Sequence, residues 1–271
     1  MQAPCCKAYW YGLSHSLQPQ AANSSQQMFC ELYYIPFYFE TVKDYSPTIT
    51  GVALMPLTCT VLPTCVLVGR LMTRSGRYRW AVWLGWAVTI AGSGLLILLD
   101  VDVRVYVWVL VFIVVGVGHG LILIALNFST QALADTQNVG YAAAMYTFTR
   151  TFGMCIGVAV GGVVFQNEFK KHLGKRHLPT QVADDAQGFT VGLKALPRNS
   201  PEYQAYILAY ADAFEVVFEV LTAVAGLGAV LSLLIREYTM DREIDSEHVL
   251  RRKKAVIPEA KEETSEAQAV G

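Results

Sequence analysis

The chain alternates long apolar runs with short polar connections. Five runs, at residues 50–69, 80–99, 105–126, 141–165 and 211–235, each reach the length of about 20 residues that a helix needs to cross the hydrocarbon core of a bilayer. A sixth run, at residues 28–40, is shorter and lacks residues at its front. The pattern predicts an all-α, integral, multi-pass membrane protein built as a six-helix transmembrane bundle, with the lipid bilayer as its surroundings.

The polar segments divide the rest of the chain into three parts. Residues 1–27 are expected to be an atypical N-terminal leader, because they contain no continuous apolar core of the signal-peptide kind. Residues 166–210 are expected to form a long external loop within the transmembrane half, which covers residues 28–235. Residues 236–271 are highly charged and poor in aromatic side chains, which predicts a disordered cytoplasmic tail.

Composition supports a membrane protein and excludes other classes. Hydrophobic residues make up 54% of the chain and charged residues 16%, whereas soluble domains are about one quarter charged. The net charge of -1 gives no reason to expect a nucleic-acid partner. The sequence contains no His-Glu-x-x-His motif, no nucleophile elbow and no paired aspartates within a span. We therefore expect no enzyme activity, no catalytic residue, no metal and no cofactor.

A basic stretch at residues 69–79, between the apolar runs at 50–69 and 80–99, sets the expected orientation. Short loops rich in Lys and Arg are retained on the cytoplasmic side of a membrane. The stretch is therefore interpreted as a cytoplasmic hinge between two spans. Its glycines and arginines are Gly69, Arg70, Arg74, Gly76, Arg77 and Arg79.

The same stretch carries a family resemblance. Its pattern, Gly-x-Leu-x-x-Arg-x-Gly-Arg-x-Arg, resembles the loop signature of the major facilitator superfamily, although Thr73 stands where that family usually has an acidic residue. Residues 34–56 resemble the start of the C-terminal six-span half in the fourteen-span drug:proton antiporter branch, with Glu40 and Thr50 in place of Gln and Ser. The segment from Arg150 to Gly157 is similar to the penultimate span of that branch.

The resemblance implies a fold and a function class. It implies one half of a major-facilitator-type fold, belonging to a proton-coupled efflux antiporter of the plasma membrane. Such a pump would export small apolar compounds, such as drugs in multidrug resistance or toxic metabolites. The short first run and the leader favour a truncated chain, so a missing N-terminal half or a second copy is the expected partner. The alternative is a non-transporting six-helix membrane scaffold or regulatory protein.

Glycine spacing predicts close helix packing in two spans. Small residues repeated every four positions form a stripe along which another helix can approach. The glycines of these two spans are Gly153, Gly157 and Gly161 in one, and Gly116, Gly118 and Gly120 in the other. The second set does not indicate a phosphate-binding loop, because such a loop follows a strand and opens an exposed helix.

Four side chains are candidates for a substrate or proton pathway. Arg150 and Thr147 lie on the glycine-bearing side of their span, although an arginine there could also reach the headgroups. His119 could relay protons, or it could be a neutral imidazole bonded to a neighbouring helix. Glu219 could accept a proton in the last span, or it could be an ordinary interfacial carboxylate. The proton-coupling carboxylate of such antiporters is not recognised among these residues and is expected in the missing half.

Overall fold

The chain folds into helices at every place where an apolar run was predicted. The structure is a computed structural model and describes residues 17–101, 103–133 and 139–233. A 3-10 helix covers Thr180–Asp185. The described part of the chain contains eight α-helices, which are α1 Gln18–Thr41, α2 Pro47–Ala53, α3 Met55–Ser75, α4 Arg79–Leu96, α5 Val105–Leu133, α6 Val139–Lys175, α7 Ala186–Ala195 and α8 Pro201–Ser232.

Helix α1 corrects the boundary between leader and bundle. It begins at Gln18, with Pro19 in its first turn, rather than at residue 28, and it has 24 residues. The front of the helix was missed because its side chains, among them Gln20 and Gln27, are polar and lower the hydropathy of the segment, although they are buried in the bundle. Residues 1–16 of the expected leader lie outside the described residues.

Four helical segments of the described chain are long and apolar enough to cross a membrane, and they cover residues 47–75, 105–131, 139–175 and 201–232. The first combines α2 and α3, which are separated only at Leu54. Helices α1 and α4 fall short of the same criterion. Helix α1 contains many polar residues, and the 18 residues of α4 include an arginine, three glycines and three tryptophans, which lower its mean hydropathy. The bundle is that of an all-helical membrane protein, and the number of six spans stays a prediction.

The segment expected to be an external loop is largely helical. Helix α6 continues to Lys175, and the 3-10 helix and α7 follow before α8 begins at Pro201. The rings of Phe169 and Tyr210 lie 4.1 Å apart, centroid to centroid. Asp212 of α8 pairs with Arg176 at 2.7 Å. An amphipathic sequence therefore folds back on the bundle where hydropathy alone indicated a loop.

The arginine-rich turn is shorter than its sequence pattern suggested. Gly69 lies inside α3, where its Cα faces Phe128 of α5, and it takes no part in the turn. Gly76 ends α3 with φ 64°, and its N–H donates to the carbonyl of Met72. Since this backbone conformation is unfavourable for residues with a Cβ, glycine is required at position 76. We call the end of the bundle that contains this turn the arginine end.

The buried apolar residues form two separate clusters. The cluster at the arginine end includes Leu17, Met72 and Tyr78. The second, which we call the aromatic core, lies toward the opposite end, where the α1–α2 and α4–α5 turns meet. Its largest members include Tyr38, Phe39, Phe112, Phe165, Phe169, Tyr210 and Phe214. Residues 234–271, which include the predicted tail, lie outside the described residues.

Candidate functional site

A buried carboxylate lies between the two apolar clusters. Glu31 of α1 is 1% exposed, and its Oε2 is 2.7 Å from Nε2 of His119 on α5. Its Oε1 accepts hydrogen bonds from the hydroxyl of Ser93 on α4 at 2.9 Å and from the amide of Gln27 at 3.2 Å. Both carboxylate oxygens therefore have partners, and these come from three helices.

The pair lies at mid-depth in the bundle. His119 is the fifteenth of the 29 residues of α5, which places it about 21 Å from either end of the helix at 1.5 Å per residue. Glu31 is likewise the fourteenth of the 24 residues of α1. An ionisable pair at this depth is far from the headgroups on both sides, and such groups mark ion or proton pathways in membrane proteins.

The pair combines two groups that can each bind or release a proton. When His119 is protonated and Glu31 is ionised, the site is neutral overall. Uptake of one more proton leaves a net positive charge, and loss of one leaves a net negative charge. Either change is costly in a medium of low dielectric constant unless the surroundings rearrange. The site can therefore couple proton movement to a change of structure.

Three glycines of α5 set the position of His119. A methyl group added at Gly116 would lie 2.7 Å from the carbonyl oxygen of Leu57 on α3, and one at Gly120 would lie 2.9 Å from Thr64. On another side of α5, a methyl group at Gly118 would lie 2.6 Å from Oγ1 of Thr89 on α4. Side chains at these positions would push α3 and α4 away. Because glycine has no side chain, α5 packs closely between α3 and α4, and His119 faces α1.

The glycines of α6 lie directly against α1. A methyl group at Gly153 would lie 2.2 Å from the carbonyl oxygen of Ala22, and one at Gly157 would lie 2.2 Å from that of Gln26. At Gly161 it would meet the Sγ of Cys30 at 2.6 Å. Helix α6 thus packs closely on α1 along three successive turns, backbone against backbone at Gly153 and Gly157, which fixes the helix that carries Glu31.

The remaining candidates lie apart from this pair. Arg150 is half-buried, and its Nε has no hydrogen-bond partner among the described residues. Thr147 is exposed and donates to the carbonyl of Ala143 on its own helix. Glu219 is exposed on α8. Only His119 of the four takes part in the buried polar cluster.

Sequence reasoning missed Glu31, although a signal was present. Gln20, Gln27 and Glu31 fall on one helical face with Asn23, and Pro19 precedes them as a helix-start residue. A polar face on a helix long enough to span a membrane indicates a polar interior. Among residues 17–101, 103–133 and 139–233, no three His, Cys, Asp or Glu side chains are grouped so that they could hold a metal ion.

Comparison with known proteins gives consistent matches. The profile of the Major Facilitator Superfamily matches residues 21–158. The chain is 40% identical to MFS transporter L2 of Phoma sp. over 237 residues, which are 86% of this chain and 39% of that protein. It is 32% identical to the MFS-type transporter gkaD of Penicillium citrinum, over 87% of this chain and 40% of the relative.

A third relative has a name that states a direction of transport. The chain is 30% identical to the Efflux pump FUS6 of Gibberella moniliformis over 250 residues, which are 86% of this chain and 42% of that protein. The chain therefore spans about two fifths of the length of the curated relatives that it matches. These relatives are transporters rather than enzymes.

Proposed function

The chain belongs to the major facilitator superfamily, and from this premise we propose that it is one six-span half, the C-terminal one, of a proton-coupled transporter that exports small apolar compounds across the plasma membrane. The observation that carries the proposal is the buried contact between Glu31 and His119. The name of the relative called an efflux pump supports the direction of transport.

The buried pair supports proton coupling because a purely structural role gives no reason for it. Replacing a buried ion pair by apolar residues is often neutral or stabilising, so bundle stability alone does not call for Glu31. A carboxylate bonded to an imidazole can instead accept and release a proton while the helices around it move. This assigns to Glu31 the coupling role that was expected in a missing half.

Two weakly buried apolar segments support a partner for this bundle. The apolar segments of α2–α3 and α6 are only 17% and 22% buried, whereas that of α5 is 61% buried. Transporters of this architecture bind substrate where two halves meet. We assign the exposed sides of α3 and α6 to lipid and to a second half, which is either the part that the relatives possess or a second copy of this chain. Arg150 lies on α6 and is proposed to contact substrate at that junction.

The test is a chimera of this chain with the part of MFS transporter L2 that it does not match. Vesicles containing the chimera are given a pH gradient, and export of a fluorescent apolar compound is recorded together with proton flux. We expect export to depend on the gradient. The variant Glu31→Gln should reduce gradient-driven export at least about tenfold, since general acid–base groups contribute factors of this order or more.

The control variant is Glu215→Gln, which removes an exposed carboxylate of α8. It should leave export unchanged at equal membrane abundance. Export that survives Glu31→Gln, or that ignores the pH gradient, would refute proton coupling at this site. A chimera that reaches the membrane and exports nothing would favour the non-transporting scaffold.

A further inference from the structure

A line of buried polar side chains leads from Glu31 toward the arginine end. Gln20 and Gln27 are 0% exposed and Asn23 is 8% exposed. With Glu31 they occupy positions three or four residues apart on α1, so they share one helical face. From Gln20, in the first turn of α1, to Glu31 the line is about 16 Å long at 1.5 Å per residue. It therefore runs from the helix start to mid-depth.

Helices α4 and α8 complete the walls of this line. The indole N–H of Trp86 donates to Oε1 of Gln20 at 3.2 Å. The amide of Asn23 donates to the carbonyl of Val224 on α8 at 3.1 Å. Thr89 is buried on α4 between Trp86 and Ser93, and Ser93 bonds to Gln27 and Glu31 of the line. The polar side chains therefore lie inside this bundle, enclosed by its own helices, rather than on its surface.

Four polar atoms along the line have no partner among the described residues. They are Nε2 of Gln20, Oδ1 of Asn23, Oε1 of Gln27 and Oγ1 of Thr89. Orphaned buried polar atoms are unfavourable, and native proteins satisfy them with water when no side chain is in reach. The set contains an amide donor, two amide acceptors and a hydroxyl. Water, which donates and accepts at once, is the ligand that suits all four.

We propose that these atoms hold a file of water molecules that carries protons between the arginine end and the Glu31–His119 pair. This inference rests on the proposed function, since it supplies the route for the coupled proton. In each step a water accepts a proton from one neighbour and releases another to the next, so that no bond between heavy atoms forms or breaks. The route passes through this half of the transporter and not through the junction of two halves.

From Glu31 the line of polar side chains continues toward one end of the bundle only, the arginine end. Beyond Glu31 the face of α1 continues with Tyr38 and Phe39, which are fully buried in the aromatic core with Phe112 of α5 and Leu96 of α4. Apolar packing of this kind leaves no polar group to bind water. The positive-inside rule places the arginine end in the cytoplasm, so the proposed route leads from the pair toward the cytoplasmic side.

Few titratable groups face the pair. His119 contributes its imidazole from α5, and Cys30 precedes Glu31 on α1. Helix α4 contributes the hydroxyl of Ser93, and α8 contributes the carbonyl of Val224 farther along the line. The proton that arrives by the route is therefore received by Glu31 and His119.

The test measures whether water reaches His119 in the purified full chain. In D2O, the C2 hydrogen of a histidine ring exchanges only on contact with solvent, and the mass of peptides reports it for each ring separately. His177 is exposed and serves as the internal standard. The variant Thr89→Val removes an orphaned hydroxyl. Its matched control is Thr130→Val, because the buried hydroxyl of Thr130 already donates to the carbonyl of Leu126 at 2.8 Å.

We expect the C2 hydrogen of His119 to exchange in the unaltered chain. Thr89→Val should slow this exchange about tenfold, a factor that corresponds to about 1.4 kcal/mol. Thr130→Val should leave the exchange rate unchanged. Gln20→Leu should slow it as well, and it provides a second variant if Thr89→Val fails to fold. A His119 ring that stays unexchanged after His177 is complete would overturn the proposal, as would equal rates in the two threonine variants.

Failure of this proposal is distinguishable from failure of the proposed function. The exchange measurement needs no substrate, no pH gradient and no second half. A chimera that exports with a pH gradient while His119 stays unexchanged would retain the proposed function and remove the water file. Exchange at His119 in a chimera without gradient-driven export would retain the water file and refute only proton-coupled transport.

Discussion

The contact between Glu31 and His119 makes a quantitative prediction about stability. At 2.7 Å between Oε2 and Nε2, two unit charges attract each other by about 6 kcal/mol at an effective dielectric constant near 20. Burying both ions costs several kcal/mol each, so the intact pair adds little net stability. Removing one partner is different. His119→Leu leaves a buried carboxylate without its counter-charge, and we expect a loss of about 3–5 kcal/mol in the free energy of unfolding.

A double-mutant cycle separates this charge effect from lost packing. Glu31→Gln keeps the size of the side chain and removes its charge. In the combined variant Glu31→Gln/His119→Leu no buried charge remains, so the loss should be smaller than the sum of the single losses by about 2 kcal/mol or more. Unfolding in mixed micelles with increasing SDS, followed by tryptophan fluorescence, gives each value.

The control cycle combines His119→Leu with Glu219→Gln. Glu219 is exposed on α8 and has no contact with the pair, so these two losses should add within about 0.5 kcal/mol. Additive losses in the cycle with Glu31 as well would refute the reasoning. They would mean that the carboxyl group carries no charge beside His119, and a group that is always protonated cannot deliver a proton.

Two glycine positions give further predictions, each with an internal control. Gly157→Val should lower the free energy of unfolding by about 3 kcal/mol, because its side chain would meet the carbonyl oxygen of Gln26 at 2.2 Å. Gly162→Val, whose nearest neighbour lies at 3.5 Å, should lower it by less than about 1 kcal/mol in the same SDS titration. Gly76→Ala forces a Cβ into the left-handed region at φ 64° and should cost about 1–2 kcal/mol, while Gly140→Ala, which has open space around it, should leave the unfolding midpoint unchanged or raise it. Equal costs within either pair would contradict the geometry.

The apolar helices could be predicted from the sequence, because both lipid and the interior of the bundle favour apolar side chains. The runs at 105–126 and 141–165 correspond to α5 and α6, which extend beyond them at their ends. The glycine spacing of α6 predicted a close helix approach but not the partner, because spacing identifies a face and not what lies on it. That partner, the face of α1 from Ala22 to Cys30, is known only from the packing.

The candidate site was harder to predict because it lies inside the bundle. Gln20, Asn23 and Gln27 lower the hydropathy of α1, so the front half of the helix was interpreted as a leader. The same residues conceal Glu31, which belongs to a segment that hydropathy rates as too short to span. Hydropathy measures the cost of a side chain in lipid. It cannot recognise a polar group whose partners, such as Ser93 and His119, come from other helices.

The unfolding and export measurements on Glu31 variants together decide the role of the polar layer, by which we mean Glu31, His119, Ser93 and Gln27. The layer divides an otherwise apolar interior, and apolar packing at its place would serve a scaffold at least as well. A scaffold also does not need the pair to hold α1 in place, because α1 is already packed against the glycines of α6. If the combined variant Glu31→Gln/His119→Leu folds nearly as well as the unaltered chain and the chimera that carries it loses gradient-driven export, the layer serves proton movement and not stability. If export persists in that variant, the buried pair is a helix contact, and the proton site must lie at another carboxylate such as Glu219 or in the second half.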